Sequence, residues 1–135
     1  MVKRLRNLND VPVDTGLKEE DGWNKMAVQW ICSQQTMGSE KAVLGRTVFP
    51  PNGASHERHT HDCAEEILYV VSGHGRAISG DEEFEIGPGD VVYVPVGDVH
   101  YFINTDPQQE METIWLYGGA GSLEASGYRP VNEKK

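Results

Sequence analysis

Basic residues are few and dispersed. Against 12 lysines and arginines stand 21 aspartates and glutamates, a formal net charge of −9 over 135 residues. Neutralising a phosphate backbone takes clustered Lys and Arg, so no nucleic acid is expected as a partner, and no anionic membrane surface. Long apolar runs are missing as well: none approaches the ~20 residues of a membrane span. The basic start, Met1-Val-Lys-Arg-Leu-Arg-Asn7, is followed by no apolar core. That argues against a secretory leader and for a cytoplasmic protein. Cysteines number two, Cys32 and Cys63. Both are expected as thiols in that compartment, Cys32 as a small buried hydrophobe. No segment carries the pattern of a long helix.

Turn-formers are plentiful, with 15 glycines and 7 prolines dispersed along a chain of single-domain size. Such a distribution suits many short strands better than helices. Residues 1–22 are polar, with Val11 and Val13 hinting at a short strand, and read as an N-terminal arm. Trp23 to Ser33 alternates with a period of two and predicts a half-buried strand. A turn from Met37 to Lys41 leads to a strand from Ala42 to Phe49, which Pro50-Pro51 must break. Glu65 to Ser72 alternates again, with Glu66, Leu68 and Val70 on one side. Shorter strands are expected at Arg76–Ser79, Glu83–Ile86, Val91–Val94, Val99–Asn104 and Glu110–Tyr117, separated by Gly, Asp and Pro turns. Residues 118–135 read as a C-terminal tail with a short turn or helix at most. Eight to ten short strands over 23–117 predict an all-β sandwich, jelly roll or small barrel.

Three of the five histidines and one glutamate share a pattern. His59 and His61 are two apart, so on a strand both side chains leave the same face. Glu66, at an odd separation from His61, needs a bend at Asp62-Cys63-Ala64 to turn back toward them. Its face-mates Leu68 and Val70 are apolar, so its carboxylate is costly unless something cationic neutralises it. A divalent metal would do so. His100 has the same character, sharing its strand face with Phe102.

The spacing of these residues matches two motifs. In the first, Gly53 is followed after five residues by His59, then after one by His61, after four by Glu66 and after six by Gly73. In the second, Gly89 is followed after five residues by Pro95, then after one by Gly97, after two by His100 and after three by Asn104. The chain thereby resembles the cupins, closely over residues 41–117 and loosely at the flanks. The resemblance implies a double-stranded β-helix (jelly-roll) barrel with His59, His61, Glu66 and His100 as metal ligands, and no ligand position departs from the pattern. Gly53, Gly73, Gly89 and Gly97 then read as turn positions, and Asn104 as a side chain that satisfies backbone at the barrel rim. Cupins usually form dimers, so a homodimer is expected, with the arm able to add a strand to a neighbour's sheet.

Three imidazoles and one carboxylate, with no thiolate, suit Fe(II) or Mn(II), while Ni(II), Co(II) or Zn(II) could occupy the same ligands. Cys63 is not expected among them. For a small-molecule substrate, Trp30, Trp115, Phe102 and Tyr101 are candidates to pack on an apolar ligand. Arg46, Gln29, Tyr93 and His56 are candidates to orient a carboxylate or carbonyl. Of these, His56, Arg46 and Tyr101 are the candidate catalytic residues, His56 through proton transfer. Trp and Phe at strand spacing are more often plain core, and an arginine such as Arg46 more often a solvated or paired charge. The resemblance implies an enzyme, an iron dioxygenase of phenolic or enolisable compounds. The alternatives are a non-redox isomerase, epimerase, lyase or decarboxylase, and a non-catalytic small-ligand-binding protein.

Overall fold

The computed structural model describes residues 2–131, so Met1 and the end of the expected tail, Asn132 to Lys135, lie outside the described residues. Twelve strands occur among the described residues. The first six are β1 (Trp23–Asn24), β2 (Ala27–Cys32), β3 (Ala42–Phe49), β4 (Ser55–His56), β5 (His59–His61) and β6 (Glu65–Ser72). The others are β7 (Gly75–Ser79), β8 (Glu82–Ile86), β9 (Val91–Val94), β10 (His100–Asn104), β11 (Met111–Gly118) and β12 (Tyr128–Pro130). The one α-helix described, α1, spans four residues, Gln34–Met37.

Two antiparallel sheets form the jelly-roll barrel. One has five strands in the order β2-β3-β11-β6-β9. The other has seven, with β1-β4-β10-β5-β12 along its main path and β7 and β8 continuing from β10. The inward faces follow the alternation in the sequence. Val43, Gly45, Thr47 and Phe49 are buried on β3, and Glu66, Leu68 and Val70 on β6. Trp115 lies across Gly45, where even a Cβ would stand 2.1 Å from its Cζ2. Glycine there is what lets the indole lie flat against the sheet.

Two local expectations differ from what forms. The segment Trp23–Ser33 is not one strand: Lys25, at φ 65°, kinks the chain, so β1 pairs with β4 in one sheet and β2 with β3 in the other. The expected tail is not all tail either. After a run of turns it returns as β12, antiparallel to β5, with Tyr128 opposite His61. The arm lies along its own β2, where Asp14 N–H donates to Val28 O and Arg6 Nη1 to the carbonyls of Trp30 and Ile31.

At one rim, Asn104 joins three segments. Its amide Nδ2 donates to the carbonyls of Phe49, Pro50 and Gln109, and its Oδ1 accepts from Asp106 N–H. The side chain is fully buried. Replacing Asn104 by Ala strands several buried backbone groups and should cost about 2–4 kcal/mol. Urea unfolding at an unchanged m-value is the check, and a loss within error of zero would contradict this role for Asn104.

Candidate metal centre

His59 and His61 come from β5 of the seven-stranded sheet, His100 from β10 beside it, and Glu66 from β6 across the barrel. The Asp62–Ala64 turn is therefore a crossing between sheets, which is how an odd spacing still brings Glu66 back. All four residues are at most 6 % exposed, and one donor atom from each lies within 4.8 Å of the others. Two ligands at about 2.1 Å on opposite sides of an ion stand about 4.2 Å apart, so the spread is close to that of a closed site.

The histidines are oriented from behind. Nδ1 of His59 donates to Glu57 O at 2.7 Å, and Nδ1 of His100 to Asp98 O at 3.2 Å. Nδ1 of His61 donates to Ser126 Oγ at 2.8 Å, since that hydroxyl spends its own proton on Leu123 O. Each ring thus presents Nε2 to the centre, with its tautomer set by the hydrogen bond behind it. His61 Nε2 is buried with no hydrogen-bond partner. A buried nitrogen lone pair left without a donor is costly, and a cation satisfies it. Glu66 Oε1 lies 3.0 Å from His100 Nε2 and 3.3 Å from His61 Nε2. Burial acts to raise the Glu66 pKa, but His100 and His61 outweigh it and hold the carboxyl below its usual range. Burial acts to lower His100, and Glu66 reverses it to a net upward shift. Burial also keeps His59 well below the histidine range. The donor set, the orphaned nitrogen and the anionic Glu66 all fit a divalent metal ion.

A cavity adjoins the cluster, walled by Trp23, Met26, Trp30, Phe102, Trp115 and Tyr117, with Thr47 and His56 as polar neighbours. His56 stacks on Trp23 at 3.9 Å between ring centroids and lies 4.1 Å from His59. Tyr128 donates to Glu57 Oε2 at 2.6 Å, so its oxygen accepts from His56 Nε2 at 2.9 Å. Burial pushes His56 down from 6.5 to about 3, so the ring is neutral at physiological pH. Tyr117 stands 4.5 Å from His61, and burial together with the Glu66 charge holds its phenol protonated.

Of the residues singled out from sequence, Trp30, Trp115, Phe102 and His56 line this cavity. Arg46 and Tyr101 do not, and the alternation explains both. Arg46 lies between inward Gly45 and Thr47, so it points outward, where it pairs with Glu112 at 2.7 Å and Gln29 at 2.7 Å. Tyr101 lies between inward His100 and Phe102, and its ring sits under the Arg58 guanidinium at 4.9 Å. Gln29 bonds Val11 O on the outer side, and exposed Tyr93 donates to Glu65. Cys63 is exposed and outside the cluster. Ser126 and Tyr128 carry no spacing signal in the sequence, because their roles come from long-range pairing; Glu57 and Tyr117 were not singled out, although Tyr117 shares the inward face of Trp115 two residues earlier.

Comparison with known proteins agrees with the fold. Residues 45–117 match the cupin domain. The chain belongs to the cupin family. This cupin is 26 % identical over 120 residues to auxin-binding protein T92 of Nicotiana tabacum, covering 82 % of the chain and 60 % of that protein. It is 41 % identical over 83 residues to the acireductone dioxygenase of Exiguobacterium sibiricum, covering 58 % of the chain and 43 % of the relative. It therefore spans less than two thirds of either relative. Among solved structures, the polyketide cyclase RemF from Streptomyces resistomycificus superposes with a TM-score of 0.75 at 23 % identity, over 100 % of this chain and 89 % of that one. No helix among the described residues is long and apolar enough to cross a membrane.

Two outcomes test the centre. Replacing His59 or His100 by Ala should abolish stoichiometric metal in elemental analysis, and full retention would remove both from the ligand set. The metal-free protein should lose stability as pH falls through the window from 6.5 to about 3, where unfolded His56 binds a proton that the folded ring refuses. The Glu66–His100 pair titrates alongside, so the diagnostic is the difference made by His56→Gln. That variant should flatten the decline seen in urea unfolding across the window, and an unchanged profile would contradict the assignment.

Proposed function

We propose that this cupin is an enzyme that binds a phenolic or enolisable small molecule at His59, His61, Glu66 and His100, with Fe(II) as metal and dioxygen as co-substrate. The observation that carries this reading is the meeting of a three-nitrogen, one-oxygen donor cluster with an aromatic cavity that no lysine or arginine lines among the described residues. A polycarboxylate substrate would have little there beyond the metal to neutralise it, whereas an apolar ring with one ionisable oxygen strands no charge. A divalent metal held by these ligands would supply a Lewis-acidic centre, and iron would add the capacity to reduce dioxygen.

The chain's own groups have separate tasks. The hydrogen bonds at the three Nδ1 atoms keep the imidazoles oriented. Tyr117, a neutral phenol beside His61, offers a hydrogen bond to a substrate oxygen. His56, neutral and next to the cluster, offers an uncharged polar ring to hydrogen-bond a substrate hydroxyl. Trp30, Phe102 and Trp115 hold the ring and keep water out. The 41 % identity to an acireductone dioxygenase over part of the chain supports the same reading.

A second reading keeps the metal but uses no dioxygen, giving an isomerase, lyase or decarboxylase. The donor cluster itself favours it, since a Lewis-acidic metal held there would need no dioxygen to polarise a carbonyl or enol. Oxygen dependence separates the two. Iron-loaded protein offered phenols and diketones should consume dioxygen in step with substrate loss and stop under anaerobic conditions. Undiminished anaerobic turnover would overturn the oxygenase and establish the second reading.

A further inference from the structure

The free space beside the metal cluster is too small for the substrate proposed above. It amounts to about 30 Å³. A cavity of about 150 Å³ is what holds one benzene ring in a protein interior. Some wall must therefore move before any aromatic compound reaches the ligands. Three lining residues are only half-buried and so form the mouth: Trp23, Met26 and Trp30. Trp23 is stacked against His56 and Tyr128. Trp30 differs, because its other side faces a groove of about 560 Å³ between the N-terminal arm, α1 and residues 122–124. No other residue lines both spaces.

One hydrogen bond closes Trp30. Its Nε1 donates to Asp14 Oδ2 at 2.8 Å, while the inner face of the indole meets Trp115 edge-on at 5.4 Å. Asp14 is itself fixed, its N–H donating to Val28 O and its Oδ1 accepting from Gly16 N–H. Arg6 grips the backbone carbonyl of Trp30 rather than its side chain, so the indole can turn while the strand stays in place. The groove beyond is mixed in character: Leu17 and Leu123 supply apolar wall, and Arg6, Ser33, Thr36 and Glu124 supply polar groups.

We infer that Trp30 is a gate held by Asp14, and that turning it outward joins the two spaces into one elongated site whose outer half is the groove. The substrate is then an elongated, mostly apolar molecule of two or more rings, with its ionisable oxygen at the metal cluster and a polar outer end among Arg6, Ser33 and Thr36. A single-ring compound leaves the outer half to water and gains none of its contact area. This deepens the functional reading given above and rests on it for the placement of the reacting oxygen.

The test uses two probes with the same vicinal diol, catechol and alizarin, on zinc-loaded protein labelled with 5-fluorotryptophan. The Trp30 resonance is assigned with Trp30→Phe, and affinities are measured by calorimetry. Alizarin should bind at least about tenfold more tightly than catechol and shift the Trp30 resonance. Asp14→Ala, checked for folding by thermal melting and backed by the milder Asp14→Asn, should speed alizarin association several-fold in stopped flow. The inference is overturned if catechol binds as tightly as alizarin, if neither binds, if bound alizarin leaves Trp30 unmoved, or if both folded Asp14 variants associate at the wild-type rate. Zinc supports no oxygenation, so none of these outcomes depends on whether the iron form consumes dioxygen, which oxygen uptake decides separately.

Discussion

Glu66 carries a negative charge into the interior of an apolar barrel, and the surrounding structure is arranged around that fact. Its neighbours along the inward face of β6 are Leu68 and Val70, which can do nothing for a carboxylate. An ion left unpaired in such a place costs several kcal/mol even after relaxation, and removing its only partner leaves that cost exposed. The opposite sheet supplies the partners, with His100 and His61 both facing the same oxygen. When no metal is bound, Glu66 raises the His100 pKa and so favours a proton on the Nε2 that faces it. That nitrogen is also the one turned toward the cluster, so a metal and a proton compete for one position. Stability of the barrel and affinity for metal are therefore two readings of a single balance of charge.

The aromatic residues beside the cluster solve a different problem. A histidine in this barrel would ordinarily be drawn into the charge balance, yet His56 is held out of it. Burial makes its charged form costly, and Tyr128, the hydrogen-bond partner of its Nε2, has already committed its own proton to Glu57. The cavity is accordingly lined by a base that stays uncharged and a phenol, Tyr117, that stays protonated. Two neutral polar groups in an apolar setting can recognise a hydroxyl without demanding a counter-charge from the ligand.

Much of this was legible in the sequence, and the residues show why. The ligands His59, His61, Glu66 and His100 stood out because a polar group on an apolar strand face violates the alternation that defines the strand. The strands β3, β6 and β9 were legible to the residue, β6 by its alternation and β3 and β9 by the Pro and Gly turns that bound them. Arg46 and Tyr101 were misplaced because both can live on either face: Arg46 follows a glycine that gives no polarity signal, and a tyrosine has an apolar body and a polar tip. Period two does settle them once the phase is taken from His100 and Thr47. The strand β12 could not be read at all. Three residues with a proline at the end carry no alternation, and their conformation is imposed by pairing with β5. Its loss hid Ser126 and Tyr128 with it, since contacts across 65 and 72 residues leave no trace in local pattern.

That span has a bearing on how the protein matures. The carbonyls behind His59 and His100 lie two residues away in sequence, so those rings can be oriented as soon as their own turns form. His61 waits for Ser126. Synthesis proceeds from the N-terminus at about 5–20 residues per second, so for several seconds a nascent chain carries His59, His61 and Glu66 without the hydroxyl that aims the middle ring. During that interval the three side chains are an ill-oriented chelator open to whichever ion the surroundings offer. The pairing of β12 with β5 brings in the hydroxyl that orients His61, so the candidate centre is complete only once the strand latest in sequence is in place.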